Sequence, residues 1–411
     1  MITEEAFAQK VRTFLTSHAR RKDQSGSAPD SLADDAVART KAYQRALFDA
    51  GLAGLTYPVE YGGQGLSRDY QEIFTRESAE FTLPTNAITI SHGMCLPILN
   101  DFGTPEQKAR HLRNIISAEE IWCQMFSEPG AGSDVASLQT RADLDGDEWI
   151  INGQKVWTSG AQFCDYGLCL ARTSVDVPKH EGISMFIVDM RGAGVDIRPL
   201  RQITGDADFN EIFFTDVRIP RSWLVGELNR GWNVAVAMLM YERVALGAGG
   251  SGPMASRRFD RLVELARIYD LAHDAPTRQA LADFYIRETI LRYVGLRIRD
   301  AVRAGRAPGP EGSIAKLASA QLAVLGGNIA ARIAGPAAVA WPAAVAGTAD
   351  ANGGDQISRG VLSAPAIGIA GGTNEVQRNI IGERVLGLPK EPSADKGVPF
   401  KDLLVGTQRR G

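Results

Sequence analysis

The sequence predicts an α+β protein of several domains, in which an all-β segment lies between two helical segments. Apolar residues recur every three or four positions in the first third, short β-type runs begin near residue 121, and helical spacing returns at Gly231. The chain has 411 residues, and at roughly 150 residues per domain this length fits two or three domains. The predicted divisions are 1–120, 121–228, 229–390 and a loosely ordered tail, 391–411.

The first helical segment is indicated by its spacing and by one start signal. Phe7, Val11 and Phe14 would share a helix face, because steps of three and four residues return to the same side of an α-helix. The run Thr104–Gln107 is typical of a capped start, with threonine as N-cap, proline at the first helical position and glutamine reaching back.

The middle segment is predicted to form strands. The run Glu148–Trp157 is typical of a β-hairpin, and we expect Asn152-Gly153 to form its turn, because that pair accepts positive φ angles. Four more β-type runs follow before Pro220: Tyr166–Ala171, Ile183–Asp189, Val195–Leu200 and Phe209–Val217. Further helices are predicted over Trp232–Leu246, Phe259–Tyr269, Thr277–Ala304, Ile314–Ile333 and Asn374–Val385.

Composition argues against several classes of protein. Lys+Arg (45) against Asp+Glu (48) leaves a net charge of −3, which disfavours binding to nucleic acid or to an anionic membrane. The 4 cysteines form no CxxC pair and no ligand spacing with histidine, so we expect no metal site and a reducing compartment. The acidic N-terminus is unlike a signal peptide, and no apolar run reaches the ~18 residues of a membrane span. We expect a cytoplasmic protein.

A glycine-rich loop is the first candidate for anion binding. The run Ser127–Asp134 (SEPGAGSD) would expose backbone N–H groups and hydroxyls, which suit a pyrophosphate. It matches neither a P-loop nor a GxGxxG fingerprint, and alone it is also compatible with an ordinary β-turn.

An aromatic residue followed by two hydroxyls ends the predicted hairpin. Trp157 can cover a flat ring while Thr158 and Ser159 hydrogen-bond to the polar edge of that ring. Packing of Trp157 across the strands is the alternative.

A charged pair, Glu242-Arg243, interrupts the apolar run Trp232–Leu246. Loss of hydration in apolar surroundings would raise the pKa of the Glu242 carboxyl toward neutrality, as a general base needs. A structural salt bridge at the helix edge is the alternative.

A glycine pair, Gly371-Gly372, leads directly into a predicted helix. The N–H groups at a helix start suit an anion or the polar edge of a ring. The alternative is a loop followed by an ordinary N-cap, for which Asn374 is well suited.

Together and in order, these segments resemble the acyl-CoA dehydrogenase family over nearly the whole chain. The resemblance rests on five motifs: Tyr57–Gly63 (YPVEYGG), Phe126–Asp134 (FSEPGAGSD), Gly153–Ser159 (GQKVWTS), Phe213–Pro220 (FFTDVRIP) and Gly372–Arg378 (GTNEVQR). It implies an N-terminal helical domain, a central β-barrel-like or sandwich domain and a C-terminal four-helix bundle, with FAD held between the last two.

The resemblance also implies which residues bind FAD. The first group lines the flavin, with Ser133 at the pyrophosphate and near the substrate: Gln124, Met125, Phe126, Ser127 and Ser133. The second covers the flavin: Trp157, Thr158 and Ser159. Thr373 and Glu375 match two further contacts, although the family commonly carries glutamine where Glu375 stands.

The family's reaction implies a catalytic base. A glutamate removes the pro-R α-proton of an acyl-CoA thioester while a hydride passes from Cβ to flavin N5. In many members the base directly precedes the Gly-Thr of the loop, where this chain has Gly371. Isovaleryl- and long-chain-type members instead place it on the first long helix of the bundle, before an arginine. Glu242-Arg243 occupies that place, so the resemblance implies Glu242 as the base, with Arg243 and Gly371 near the substrate.

The resemblance further implies electron transfer flavoprotein as electron acceptor, a role in fatty-acid β-oxidation and a homodimer or homotetramer. Two family motifs that contact FAD across a subunit interface are missing. Leu265–Ala272 replaces Arg-x-x-Phe-Gly, and Ile333–Pro336 stands near the expected Gln-x-x-Gly-Gly. A heterotetramer with a divergent subunit therefore stays open.

Two other functions stay open as well. A flavin oxidase or monooxygenase on the same scaffold would need a flavin that oxygen can reach. A structural subunit would leave the chemistry to its partner, although Glu242 argues against this. The acyl group is undefined, but members with the base on the helix often accept long, branched or polycyclic substrates.

Overall fold

A computed structural model describes residues 2–21, 34–250, 258–304, 309–339, 354–393 and 395–404. It has the predicted α+β fold class: an N-terminal helical part, a central β part and a C-terminal helical part. The chain divides into two compact units, Met1–Glu242 with Ser393–Gly411, and Arg243–Pro392. The three domain boundaries expected at residues 120, 228 and 390 stay predictions, since the first unit contains both the N-terminal helices and the sheet.

The N-terminal helices pack around one apolar core. Their bounds are Glu4–His18 (α1), Asp34–Asp49 (α2), Arg68–Ser78 (α3), Leu96–Phe102 (α4) and Pro105–Ile116 (α5). A two-stranded ribbon pairs Arg20–Arg21 (β1) with Phe81–Thr82 (β2). The predicted face of α1 is confirmed, because Phe7, Val11 and Phe14 are buried.

The capped start of α5 is confirmed and also connects the helices to the sheet. Gln107 N–H donates to Thr104 Oγ1 at 3.3 Å, and Thr104 N–H donates to Gln107 Oε1 at 3.1 Å. The amide nitrogen of Gln107 donates to the carbonyls of Ser222 (2.7 Å) and Leu224 (2.9 Å). One side chain therefore caps its own helix and joins that helix to the strand at Leu224.

The central sheet has eight strands in the part of the chain that the structure describes. They span Trp122–Met125 (β3), Arg141–Asp145 (β4), Glu148–Ser159 (β5), Tyr166–Arg172 (β6), Ile183–Asp189 (β7), Val195–Leu200 (β8), Phe209–Pro220 (β9) and Leu224–Val225 (β10). The order is β10-β7-β6-β4-β5-β9-β8, with β3 parallel to β6. Strand β7 is buried on both faces, since Met185 packs with the N-terminal helices and Phe186 packs in the core of the sheet.

The predicted hairpin turn at Asn152-Gly153 is wrong. These residues lie inside β5, and the turn between β4 and β5 is at Gly146-Asp147, where Gly146 has φ 62°. Gly153 is required for close packing instead. A Cβ there would lie 2.4 Å from Thr140 Oγ1 and 2.6 Å from Thr140 Cα, and its φ is 150°. Glycine inside a strand often marks a place where another part of the backbone approaches closely.

The second unit is helical. Helix α6, Gly231–Gly250, leads from the sheet into it, and Arg258–Ile268 (α7), Ala275–Arg303 (α8), Gly312–Ala334 (α9), Gly354–Ile367 (α10) and Asn374–Ile380 (α11) follow. Helix α9 packs against α7, α8, α10 and α11. The buried side chains of Leu262, Phe284 and Ile329 lie in this core.

One helix departs from the expectation that no segment is long and apolar enough to span a membrane. The helical stretch Gly312–Ala338 is 27 residues long, and an 18-residue window within it reaches a mean hydropathy of 1.3, which is enough for a span. The two charges in this stretch, Lys316 and Arg332, do not lower its hydropathy enough to exclude it. One such helix among the described residues is weak support for a membrane span, because core helices of soluble proteins can have the same length and composition.

We expect Gly153→Ala to destabilise the first unit by about 2–3 kcal/mol, because the new methyl group would collide with the backbone of Thr140. The matched control, Gly146→Ala, meets nothing within 4 Å and should lose only about 1 kcal/mol through its positive φ. Urea unfolding of both variants measures the difference, and equal losses would contradict the packing role of Gly153.

Candidate active site

The loop after β3 is closed by its own backbone. The N–H groups of Glu128 and Ala131 donate to each other's carbonyl oxygens at 3.1 and 3.0 Å. The carbonyl of Ser127 accepts from Val156 N–H at 2.9 Å, which joins the loop to β5. Met125 and Phe126, which directly precede Ser127, are buried. The glycine-rich run and the Trp157 motif, which the sequence predicts to act together, are therefore neighbours.

A buried ion pair supports this junction. Lys155 Nζ lies 2.8 Å from Glu128 Oε1, and their side chains are 0% and 7% exposed. The same ammonium donates to the carbonyl of Phe126 at 3.1 Å. Glu128 also accepts from the N–H groups of Gln139 (2.6 Å) and Thr140 (3.0 Å). Both members of the pair thus have further hydrogen-bond partners.

Burial raises the pKa of Glu128, but Lys155 and the N–H donors outweigh burial, and the net pKa is lowered. The carboxylate is therefore ionised and fixed. Sequence analysis missed this pair. Glu128 and Lys155 are 27 residues apart, and only their opposite charges, each within one of the two recognised motifs, indicated a contact.

Trp157 lies on a β-bulge in an unusual backbone conformation. Lys155 pairs with Ile212 and Thr158 with Asn210, so two residues of β5 stand opposite one residue of β9. The φ of Trp157 is 62°, which is rare for a bulky residue. Its indole is 61% exposed and contacts Phe209 edge-on, with centroids 6.0 Å apart. Bulges often direct a side chain beside a functional site.

The hydroxyl that follows Trp157 has the features of a ligand contact. Thr158 is buried, and its Oγ1 has no hydrogen-bond partner among the described residues. The same holds for Asn210 Oδ1, while Asn210 Nδ2 donates to the carbonyl of Thr158 at 3.0 Å. Buried oxygens without partners are costly unless a ligand or water satisfies them. Ser159 beside them is half-buried, so the strand end fits the polar edge of a ring.

The glycine-rich run ends on the surface. Ser133 is exposed, and a Cβ at Gly132 would meet nothing within 4 Å, so the backbone there is open to a bulky anion. Asp134 Oδ2 accepts from Lys179 Nζ at 2.8 Å and from the hydroxyl of Ser137. The predicted pyrophosphate position at Ser133 is thus accessible, and the side chain of its neighbour Asp134 is bound by Lys179 and Ser137.

Glu242 lies on α6 near β3. Gln124 Nε2 donates to Glu242 Oε2 over 3.4 Å, a long hydrogen bond. Both side chains are half-buried. Gln124 directly precedes the Met125–Asp134 stretch, so the structure brings the candidate base and the start of the candidate flavin loop together. The side chain of Arg243, the predicted substrate neighbour, lies outside the described residues.

The glycine loop of the second unit is held by two side chains that sequence analysis missed. Gly371 and Gly372 have φ angles of 65° and 85°. Gln377 Nε2 donates to their carbonyls at 3.0 and 3.2 Å, and Lys316 Nζ donates to Gly372 O at 2.6 Å. Only the amide type of Gln377 and its position after the glycines gave a signal.

The N-cap of α11 is Thr373, so the alternative that named Asn374 is wrong. Thr373 Oγ1 accepts from Val376 N–H at 3.2 Å. Its extended backbone (φ −60°, ψ 162°) is the conformation that an N-cap requires, and it stands one residue earlier than expected. Glu375 is exposed and pairs with Arg378 at 3.2 Å. Thr373 and Glu375, the two predicted cofactor contacts of this unit, thus each have a partner on α11.

No group of three or more His, Cys, Asp or Glu side chains could hold a metal within the described ranges.

Models of one protein family match three consecutive segments. The acyl-CoA dehydrogenase N-terminal domain matches residues 2–119, the middle domain residues 123–217 and the C-terminal domain residues 229–386. The matches follow the same order as the helical, β and helical parts of the fold.

Several known proteins are similar along almost their whole length. Acyl-CoA dehydrogenase IpdE1 of Mycobacterium tuberculosis (strain ATCC 25618 / H37Rv) is 40% identical over 389 residues, 94% of this chain and 98% of the relative. The solved Tcur3481-Tcur3483 steroid ACAD has 29% identity and a TM-score of 0.77, over 94% of this chain and 97% of that one. The ChsE4-ChsE5 complex from Mycobacterium tuberculosis has 28% identity and a TM-score of 0.72, over 95% and 99%.

We expect Lys155→Met to destabilise the protein by about 3–5 kcal/mol at pH 7, because it leaves the Glu128 carboxylate buried without its cation. In the wild type, the lowered pKa of Glu128 adds stability above the unfolded-state pKa, and this stability is lost as pH falls through the folded-state pKa. In the variant, burial favours the protonated carboxyl, so its deficit should shrink toward pH 4.

Urea unfolding at pH 7 and pH 4 measures this effect. The control Arg141→Met breaks an exposed pair with Asp143 and should change stability by no more than about 1 kcal/mol. A Lys155→Met deficit that does not depend on pH would contradict the ion-pair account.

Proposed function

Because this chain belongs to the acyl-CoA dehydrogenase family and is therefore an oxidoreductase, we propose that it converts an acyl-CoA thioester to the trans-2-enoyl-CoA with Glu242 as base. The observation that carries the proposal is the position of Glu242. Its carboxylate accepts from Gln124, 3.4 Å away, in the strand β3 that leads into the loop with the predicted flavin contacts. Carbon acids of this kind need a carboxylate held beside the α-carbon.

The residues of the first unit fit FAD. Thr158 Oγ1 is a buried oxygen without a described partner, Trp157 presents an exposed indole, and the backbone at Gly132 is open. We propose that Gln124 to Ser127 and Trp157 to Ser159 contact the ring system and that Ser133 contacts the pyrophosphate. Thr373 and Glu375 are proposed as further contacts. When bound, FAD supplies the hydride acceptor.

Glu242 is proposed to take the α-proton onto a carboxylate oxygen. Gln124 donates to Oε2, which helps to orient the carboxylate. Gly371 cannot replace this base because it has no side chain, and its φ of 65° suits glycine. We propose that Gly371 and Arg243 lie near the thioester without exchanging protons with it.

We propose a steroid-derived acyl-CoA as the substrate class. One solved relative with 29% identity over most of both chains is a steroid ACAD. This favours a polycyclic acyl group over the straight chains of fatty-acid β-oxidation, and it agrees with the bulky substrate expected of members with the base on the helix.

We propose that the electrons pass to electron transfer flavoprotein and that the enzyme is an oligomer. Helix α8 exposes Ile286, Ile290 and Tyr293 at 55%, 57% and 54%. These residues are spaced four and three apart and share a face, which is typical of a subunit interface. Such a face suits a homodimer, a homotetramer or a heterotetramer, and we propose the cytoplasmic location that the sequence predicts.

A partner-dependent flavin site is the second candidate. The family's two cross-subunit FAD motifs are absent from this sequence, and one relative is the complex of two differently named chains, ChsE4-ChsE5. In this version the chain supplies Glu242 and a divergent subunit completes the FAD site.

The visible spectrum of the purified chain, followed by anaerobic addition of acyl-CoAs, tests the function. We expect a yellow protein whose flavin absorbance bleaches fastest with a steroid-ring acyl-CoA and is restored by electron transfer flavoprotein but not by NAD. Fastest bleaching with straight-chain acyl-CoAs would contradict the substrate class. A colourless chain that becomes yellow only with a second subunit would support the partner-dependent version, and no bleaching with any acyl-CoA would contradict both.

We expect Glu242→Gln to keep its FAD and to reduce the rate of flavin bleaching by about 10²–10⁴-fold, because the amide cannot accept the proton. The control Glu227→Gln, at an exposed position before α6, should keep the wild-type rate. Adding Gly371→Glu to Glu242→Gln should restore part of the rate, limited by the positive φ at that position. A wild-type rate in Glu242→Gln alone would exclude Glu242 as the base.

A further inference from the structure

The end of the chain returns to the first unit and forms specific contacts there, although the sequence predicted only a loosely ordered tail. We call residues 395–404 the C-terminal clasp. The N–H of Phe400 donates to Val177 O at 2.8 Å, and the N–H of Lys401 donates to Val175 O at 3.0 Å. Pro399 forms a β-bridge with Pro178. The clasp thus binds the loop between β6 and β7.

A buried arginine connects the clasp to the segment that follows the candidate flavin loop. Arg172 is 3% exposed, and burial lowers its pKa to about 10. Its guanidinium donates to the carbonyls of Ala136 (2.6 Å) and Lys179 (2.7 Å). The ring of Phe400 covers the same guanidinium, with Cζ 3.6 Å from the ring centroid. Three chain segments therefore meet at one cation.

Lys179 completes the connection through its side chain. Its Nζ lies 2.8 Å from Asp134 Oδ2 and 2.5 Å from Asp395 Oδ2, and the side chain is 12% exposed. The hydrogen bond from Lys179 lowers the pKa of Asp395 to about 2, so the Asp395 carboxylate is ionised near neutral pH. One ammonium joins the clasp to the residue after Ser133.

We propose that the C-terminal clasp, acting through Lys179, holds the Ser133–Asp134 loop in the position that binds the FAD pyrophosphate. This inference rests on the proposed function, which places the pyrophosphate at Ser133. Lys179 is a positioning residue, because its ammonium is occupied by two carboxylates. Without Lys179, Asp134 and Asp395 would repel each other and an incoming pyrophosphate.

The experiment measures FAD release from full-length holoenzyme on dilution, by flavin fluorescence. Lys179→Met should raise the FAD dissociation constant about ten-fold or more, while the bleaching rate at saturating FAD and acyl-CoA stays unchanged. Lys179→Arg should recover most of the affinity. Adding Asp134→Asn to Lys179→Met should also recover affinity, since it removes one of the two uncompensated charges; a purely structural loss would not respond in this way.

Further variants distinguish the contribution of the clasp to FAD binding from the effect of breaking an unrelated ion pair. Removal of residues 393–411 should weaken FAD binding to a similar extent, and Asp395→Asn should weaken it less. Ser133→Asp places a like charge at the pyrophosphate. It therefore shows how far FAD affinity falls when the pyrophosphate contact itself is disturbed. The control Lys41→Met breaks a partly exposed lysine–aspartate pair with Asp165 and should leave FAD binding at the wild-type value.

The outcomes distinguish the two proposals. A wild-type holoenzyme that bleaches with acyl-CoA, together with a Lys179→Met variant that keeps the wild-type FAD dissociation constant, overturns the clasp proposal and leaves the proposed function intact. If Lys179→Met does not fold, Asp395→Asn and the truncation decide, and wild-type affinity in both overturns the proposal. A wild-type chain that never retains FAD overturns the proposed function and the clasp proposal with it.

Discussion

The ammonium of Lys155 and the carboxylate of Glu128, 2.8 Å apart and shielded from water, connect the two motifs on which the candidate site depends. Breaking such a pair costs about 3–5 kcal/mol, because an uncompensated charge stays buried. Lys155 belongs to β5, the strand that carries Trp157, and Glu128 belongs to the glycine-rich loop. Their attraction, together with the N–H donors around Glu128, fixes the glycine-rich loop against the strand. The two motifs therefore stay next to each other.

The backbone of β5 is strained near its end. The bulge after Lys155 leaves Trp157 at φ 62°, a conformation that costs a bulky residue about 1–3 kcal/mol. The ladder between β5 and β9 on both sides of the bulge supports the strain. The bulge allows an exposed indole and a buried threonine hydroxyl to follow each other, so that an aromatic surface and a polar group can face one ring.

The chemistry of the site is divided between elements of different stability. The proposed base is on a helix whose first turns are buried in the core of the first unit through Val234 and Met238. The proposed pyrophosphate contact, Ser133, is exposed and has no core packing of its own. Its neighbour Asp134 is secured by Lys179, and the clasp in turn is secured by Arg172 and Phe400. Proton abstraction beside a bound cofactor requires that the base and the cofactor-binding loop are both held in position.

The sequence by itself determined the features that depend on local spacing. The apolar period of α1, the capping box at Thr104 and the succession of helical and β segments all follow from neighbours a few residues apart, so the fold class and the candidate motifs could be predicted. Tertiary structure alone decided the contacts between distant residues: Glu128 with Lys155, Arg172 with Phe400, and Gly153 against Thr140. A sequence shows that a charge or a glycine is present, but strand register and loop closure determine which group it meets. Gly153, which the sequence predicted for a turn, is therefore required inside a strand for close packing against Thr140.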